Sequence, residues 1–500
     1  MIVLKRIRIT LAAIFFIGIT LLFLDFSGTL HQWLGWMAKI QFLPAVLAIN
    51  VAVIIGLLCL TLLFGRIYCS VICPLGVMQD IFGALGMKAK KNRYTYSAAK
   101  SWLRYTMLAV MVVAVIAGVG SVVQLLAPYS AYGRIATMLF QPVYELGNNM
   151  FAVLAERADS YAFYTKDVWM KSLPVLVIAV VTLFALAFLA WRNGRTYCNT
   201  ICPVGTVLGF FSRFSLMKVY FDESKCRNCS LCSKNCKASC IDYKTHTVDH
   251  SRCVVCGDCL ASCKFGALNY GKKHSGQTGA SDQSDASEKN SVSGSRRSFL
   301  LATAMAATAA MAQEKKKVDG GLAVIEDKVV PSRQTPLTPP GSRSATNMAR
   351  RCTGCQLCVS ECPNNVLRPS TDLLHLMQPV MSYERGYCRP ECTRCSEVCP
   401  TGAIEKVAHE EKSSVQIGHA VWIKKNCIPL TDGVECGNCA RHCPSGAIEM
   451  VPSDPDDETS AYIPAVNEAR CIGCGACENL CPARPFSAIY VEGHEVHRMI

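Results

Sequence analysis

Four stretches in the N-terminal part of the chain stay apolar for long enough to cross a hydrocarbon core of roughly 30 Å: about Ile7–Leu24, Leu43–Phe64, Trp102–Ala127 and Leu173–Trp191. No small-residue cleavage site follows the first, and Trp33 and Trp36 stand where an interfacial aromatic belt belongs. It is therefore expected to stay as a helix and not to be removed as a signal peptide. Lys5, Arg6 and Arg8 precede the first stretch, and Arg66, Lys88, Lys90, Lys91, Arg93 and Lys100 fill the loop after the second. The loop after the first offers only Lys39. This bias predicts a cytoplasmic N-terminus, and four spans return the chain to the cytoplasm at Arg192 and Arg195.

Beyond the spans the pattern changes. Residues 271–295 are polar and rich in Ser, Asp and Gly, a composition that cannot bury a core and reads as a linker. Ser295-Arg296-Arg297-Ser298-Phe299-Leu300 follows, then an Ala-rich stretch to Ala312. With Ala310-Met311-Ala312 before a basic run, this is the layout of a twin-arginine export signal. That route carries folded proteins, which suits cofactors inserted before export. A Pro-rich linker, Val329–Gly341, leads into the last part of the chain.

Composition adds the chemistry. Among 500 residues there are 30 cysteines, most of them in groups of four at spacings of two and three residues. Thiols so close are placed to share one metal centre, not to build a disulfide framework. The formal charge of +14 follows the loops beside apolar stretches, as membrane orientation requires, and is no sign of nucleic-acid binding. None of the ten histidines falls inside an expected span and no C-x-x-C-H occurs, so haem is not expected.

An internal repeat lies across the spans. Gly65-Arg66-Ile67-Tyr68-Cys69 through Cys73-Pro74-Leu75-Gly76 recurs as Gly194-Arg195-Thr196-Tyr197-Cys198 through Cys202-Pro203-Val204-Gly205. Each copy ends an inward helix, so Cys69, Cys73, Cys198 and Cys202 are expected on one membrane face. There they hold a metal ion, a cluster or a redox disulfide, or merely shape a turn. Thiolates beside Arg66 and Arg195 would have lowered pKa values.

Next come Cys226, Cys229, Cys232 and Cys236, then Cys253, Cys256, Cys259 and Cys263. In C-x2-C-x2-C-x3-C three thiolates wrap one cube and the fourth reaches the neighbouring cube. The expected ligand sets are Cys226, Cys229, Cys232 and Cys263 on one 4Fe–4S cluster, and Cys253, Cys256, Cys259 and Cys236 on the other. Lys237 follows Cys236 where proline is usual, and Cys240 competes with Cys236 as the fourth ligand. Four more quartets follow the Pro-rich linker. Cys352, Cys355, Cys358 and Cys362, and Cys471, Cys474, Cys477 and Cys481, keep the regular spacing; Cys388, Cys392, Cys395 and Cys399, and Cys427, Cys436, Cys439 and Cys443, do not. All four end in Cys-Pro, and Pro400–Ile404 repeats as Pro444–Ile448. Six clusters are expected to take 24 cysteines and the repeat four more, with Cys59 and Cys240 left over.

Residues 1 to about 270 resemble NapH, the membrane ferredoxin-type subunit of periplasmic nitrate reductase systems, and residues from about 295 to 490 resemble its exported four-cluster partner, NapG. The departure is that two normally separate subunits are joined. The resemblance implies that outer quartets exchange fourth ligands with each other, as do inner ones. It also implies a quinol dehydrogenase component passing electrons from membrane quinol, menaquinol-type, to a periplasmic reductase or cytochrome, without a terminal-reductase site of its own. Two other functions fit the same residues: a maturation factor donating electrons to a partner metalloenzyme, and a ferredoxin-coupled transmembrane conduit. No residue stands out as a quinol ligand or catalytic group.

The expected architecture is an α-helical membrane domain of four transmembrane helices (1–220) with α+β ferredoxin-like modules: a cytoplasmic two-cluster module (221–271), a polar linker (272–295), the twin-arginine signal or a fifth membrane segment (296–312), a Pro-rich linker (313–347) and a periplasmic four-cluster module (348–500).

Overall fold

One α-helix covers Ile2–Leu24 and another covers Leu173–Asn193. These two are long and apolar enough to cross a membrane. The computed structural model describes residues 2–25, 27–89, 94–160, 163–272 and 326–500; the twin-arginine segment lies outside the described residues. The other two expected spans are interrupted. Leu43–Phe64 divides into helices Phe42–Leu47 and Val51–Phe64, where Ile49 turns left-handed (φ 55°) and the Asn50 side chain caps the new helix by accepting from Val53 N. Trp102–Ala127 divides into Ser101–Ala117 and Gly120–Leu126 at Gly118 (φ 73°), a backbone state that glycine adopts without a Cβ penalty.

Sequence patterning also passed over a buried segment. After Gly120–Leu126 comes the helix Pro128–Ile135, a π-helical stretch Ala136–Phe140 and the helix Gln141–Glu156. Every residue of Pro128–Ile135 is buried, Arg134 included.

The internal repeat is a structural repeat. Val51–Phe64 is followed by the short helix Tyr68–Val71 and then Pro74–Ala89; Leu173–Asn193 is followed by Thr196–Thr200 and Pro203–Ser212. The copies pack crosswise, Pro74–Ala89 against Leu173–Asn193 and Pro203–Ser212 against Val51–Phe64, as a pseudo-twofold arrangement requires.

The cysteine-rich modules dock at opposite ends of this bundle. At one end Lys5 pairs with Asp258 (2.8 Å), Arg195 N donates to Lys237 O (2.8 Å) and Tyr270 Oη donates to Phe64 O (3.0 Å). At the other, Arg394 Nη2 donates to Ser27 O (2.7 Å) and Gln141 Nε2 to Ser360 O (3.3 Å). There Trp169 also stacks under the guanidinium groups of Arg368 (4.6 Å) and Arg385 (5.0 Å). Lys5 lies in the first turn of the first helix and Ser27 just past its end, so at 1.5 Å per residue the helix alone separates these contacts by roughly 29 Å. Among the aromatic side chains facing outwards, Trp33 is 79% exposed and Trp102 72%.

The modules themselves are thin. Lys218–Phe221 pairs antiparallel with Leu268–Gly271, and Ile241–Asp242 with Thr247–Val248. In the C-terminal part Leu367–Pro369 pairs with Pro379–Met381, Ile448–Asp454 with Asp457–Val466, and Val415–Trp422 with Ile489–Met499. Cysteines occupy positions in the core that large apolar side chains would fill elsewhere, so ligation supplies folding energy that burial alone does not.

Candidate electron-transfer centres

In each regular quartet the residues before and after the second cysteine adopt positive φ: Asn228 and Ser230, Val255 and Gly257, Gly354 and Gln356, Gly473 and Gly475. This pair of left-handed residues curls the loop so that its thiols face one centre. The fourth thiol comes from elsewhere. One cavity is lined by Cys226, Cys229, Cys232 and Cys263, the grouping expected from spacing. A second is lined by Cys253, Cys256 and Cys259 together with both Cys236 and Cys240, whose sulfurs lie 3.6 Å apart. Cys236 is within electrostatic reach of Cys253, Cys256 and Cys259, whereas Cys240 sits beside Cys253 and Cys236.

In the C-terminal module the grouping departs from the pairing that the resemblance implied. Cys399 faces Cys352, Cys355 and Cys358, and Cys362 faces Cys388, Cys392 and Cys395. Cys443 lines a cavity with Cys471, Cys474 and Cys477, and Cys481 faces Cys427 and Cys439. The crossing thiols pair the first quartet with the second and the third with the fourth, each an outer quartet with an inner one, and not outer with outer and inner with inner. It follows that Cys399→Ser should alter the EPR signal of the centre formed by Cys352, Cys355 and Cys358 and leave its own quartet's other thiols ligating. The opposite pattern would refute the exchange.

Backbone N–H groups point at these crossing sulfurs: Ala267 N to Cys263 Sγ (3.3 Å), Ile404 N to Cys399 Sγ (3.5 Å), Ala447 N to Cys443 Sγ (3.3 Å) and Ala488 N to Cys481 Sγ (3.3 Å). Such donors stabilise a thiolate and fit the ligands of an anionic iron–sulfur cluster. Among the described residues, no three His, Cys, Asp or Glu side chains converge on a point suited to a single metal ion.

The repeat brings Cys69, Cys73, Cys198 and Cys202 within electrostatic reach of one another, all buried. Its two arginines cross over: Arg66 Nη2 donates to Cys198 O (3.1 Å) and Arg195 Nη1 to Cys69 O. Gly76 and Gly205 lie against the same carbonyls, where a Cβ would strike Cys69 O and Cys198 O respectively, which is why each Cys-Pro is followed two residues on by glycine. Gly205 N and Gln79 Nε2 point at Cys202 Sγ (3.4 Å) and Cys198 Sγ (3.3 Å). The lowered pKa expected from the arginines is not what the site produces. Burial, followed by repulsion between neighbouring thiolates, pushes Cys73 and Cys202 well above the ordinary thiol range.

The symmetry is incomplete around the arginines. Asp80 accepts from Arg195 Nε (2.7 Å), Lys237 Nζ (2.8 Å) and Arg8 Nη1 (3.2 Å), but the corresponding residue of the second copy is Gly209. Arg66 therefore meets Asn199 Oδ1 (3.0 Å) and Ser251 O (2.9 Å) where a carboxylate would balance its charge.

The thiol groups fall in a linear order. Arg66, at the membrane set, bonds Ser251 beside Cys253. On the far side, Tyr197 is within reach of Cys198, Cys202 and Arg134, and donates to Leu126 O (3.2 Å). Arg134 Nη1 donates to Gln124 O (2.5 Å), while its Nε and Nη2 have no hydrogen-bond partner. Gly133 packs against Cys355 O, and Tyr129 is within reach of Cys355 and Cys399. Cys388 N then donates to Cys474 O (2.9 Å), joining the two halves of the C-terminal module. Asp80 and Arg134 were not singled out by the sequence, and Tyr197 only as a member of the repeat; a charged residue between apolar stretches was the available signal for Arg134.

Comparison with known proteins agrees with this geometry. A family model described as 4Fe-4S binding domain matches residues 46–92 and 172–221, the two repeat copies, and another of that description matches 348–368. A 4Fe-4S dicluster domain model matches 434–484. The chain is 23% identical over 194 residues to the putative electron transport protein YccM of Escherichia coli K12, covering 39% of this chain and 47% of YccM, so it spans about half of that relative. It is 28% identical over 162 residues to the ferredoxin-type protein NapF of the same organism (32% of this chain, 87% of NapF). It is 29% identical over 175 residues to the ferredoxin-type protein NapG (32% of this chain, 75% of NapG). Thiol groups, N–H donors and family matches together show a chain that carries several 4Fe–4S binding domains and is similar to ferredoxin-type proteins of the Nap group.

Proposed function

We propose that the chain is a transmembrane electron conduit with six 4Fe–4S clusters and a further cluster at Cys69, Cys73, Cys198 and Cys202, in a four-span membrane domain. A cluster on four thiolates exchanges one electron at a time. The observation that carries the reading is the docking of two thiol-rich modules at opposite ends of a membrane-length helix, with the repeat's thiol set between them. Arg66, fully buried and without a carboxylate partner among the described residues, is suited to balance an anionic centre there, since a buried cation needs a compensating charge. Cys236 is the favoured fourth ligand of the Cys253 cluster. The proposed topology puts residues 221–271 in the cytoplasm and 348–500 in the periplasm, facing a redox partner such as a reductase or cytochrome.

The test is side-specific reduction in sealed liposomes, with iron counted beforehand. About 28 iron atoms per chain are expected, four per quartet of thiolates, against about 24 without the membrane cluster. An impermeant reductant on the side of residues 221–271 should reduce the C-terminal clusters; their staying oxidised would refute the conduit.

Oxidation of a menaquinol-type quinol is the second reading, and one feature favours it. Lys171 Nζ donates to Gln141 Oε1 (2.8 Å), and Gln141 bonds Ser360 O beside Cys362, placing a polar group near a cluster at the end of the apolar helices. Menaquinol reducing the C-terminal clusters in the Cys69→Ser variant would place quinol entry there, and the conduit's inward module would then be off the main path.

A further inference from the structure

If electrons enter or leave at the module of residues 221–271, that module needs a face from which a partner can reach a cluster. Cys229 provides one. Of the cysteines in the six quartets, it alone is exposed; the others are buried or half-buried. The cavity it shares with Cys226, Cys232 and Cys263 has Arg227, Asn228 and Phe265 at its margin. Phe265 is 40% exposed, with the Arg227 guanidinium 4.8 Å over its ring. His246 Nε2 lies 2.8 Å from Asn228 Oδ1 and so ties the turn that carries Lys244 to the Cys226 loop.

The charges around this face are lopsided. Asp258 pairs with Lys5 and Lys237 on the inner side of the module (2.8 and 3.2 Å). Burial raises its pKa, but the two lysines outweigh burial and hold the carboxyl below its ordinary range. Asp249 is paired with Arg252 (2.6 Å) and Asp222 with Lys225 (2.8 Å). Arg227, Lys244 and Lys264, all exposed, form no ion pair among the described residues and outnumber the module's acidic residues that form none, Glu223 and Asp242. The cluster nearest the surface thus sits behind an aromatic ring inside a positively charged rim.

We propose that this rim is a docking face for a small acidic protein that carries single electrons. The inference rests on the conduit reading and names its partner at the inward end. Opposite charge steers such a partner to the face and orients it, and a small contact lets it leave after one transfer. The ring of Phe265 and the Cys229 sulfur then lie at the contact, where the partner's own centre comes nearest.

The experiment uses the full-length, cluster-loaded protein under anoxia. Two reductants are compared by stopped-flow absorbance: a reduced acidic two-cluster ferredoxin, and photoreduced deazariboflavin, which is small and uncharged. With ferredoxin, the wild-type rate for the 221–271 clusters should fall steeply as salt is raised. The Arg227→Glu/Lys264→Glu variant should react at least about tenfold more slowly at low salt, since the rim then repels the partner. The charge-conserving Arg227→Lys/Lys264→Arg variant should keep the wild-type rate. Deazariboflavin should reduce all three proteins equally, which excludes damage to the clusters. Unchanged ferredoxin rates after charge reversal would overturn the docking face. Fast reduction of the 221–271 clusters while the C-terminal clusters stay oxidised would instead refute the conduit and leave the docking result standing.

Discussion

Cys69→Ser and Cys202→Ser are each expected to abolish transfer between the two cluster modules, while the protein stays in the membrane and the other six clusters remain loaded. The thiols concerned are buried among their partners and receive N–H or guanidinium donors, Gly205 N at Cys202 and Arg66 Nη2 at Cys69 (3.8 Å). Serine keeps the size and a hydrogen-bonding group, so a turn that is merely structural would accept it. An iron cluster would not, because the ligand that fits iron here is a thiolate. Loss of about four iron atoms per chain with loss of transfer is the expected pair of results. Wild-type transfer in both variants would make these cysteines structural, and the gap between modules would then need a cofactor that the chain does not bind.

Changing Arg296 and Arg297 to lysine should strand residues 348–500 on the cytoplasmic side. The bundle sets up the requirement: the chain leaves it at Lys272, in the module docked beside Lys5, and returns at Lys328, whose Nζ donates to Asn479 O (2.7 Å) in the module docked beside Ser27. The connecting residues carry the paired arginines that a folded-protein export route reads. Protease added outside spheroplasts should remove the C-terminal module from the wild type and leave it almost wholly intact in the variant. Equal cleavage in both would mean that export does not depend on this pair.

What the sequence determined by itself was local. Spacings of two and three residues limit which three thiols can curl around one centre, because the loop between them is too short to do much else, and left-handed residues beside Cys229, Cys256, Cys355 and Cys474 give each of those loops the same curl. The repeat of Gly-Arg-x-Tyr-Cys was equally legible, since each copy uses the same close approaches at Gly76 and Gly205. Lengths of apolar runs located the helices but not their breaks at Ile49 and Gly118, which depend on single backbone conformations. Tertiary structure decided the rest. In the C-terminal module, which quartet lends its fourth thiol to which is a long-range contact that spacing leaves open, and the packing pairs sequence neighbours where the resemblance implied outer with outer and inner with inner. Pro128–Gln141, too polar to read as a span, is buried because neighbouring helices and the Cys355 loop enclose it, so Arg134 became visible as a buried charge only once the helices were packed. The same is true of Asp80 and Gly209: one carboxylate for two crossed arginines has no meaning along the chain, and acquires one when the two copies face each other across their shared thiols.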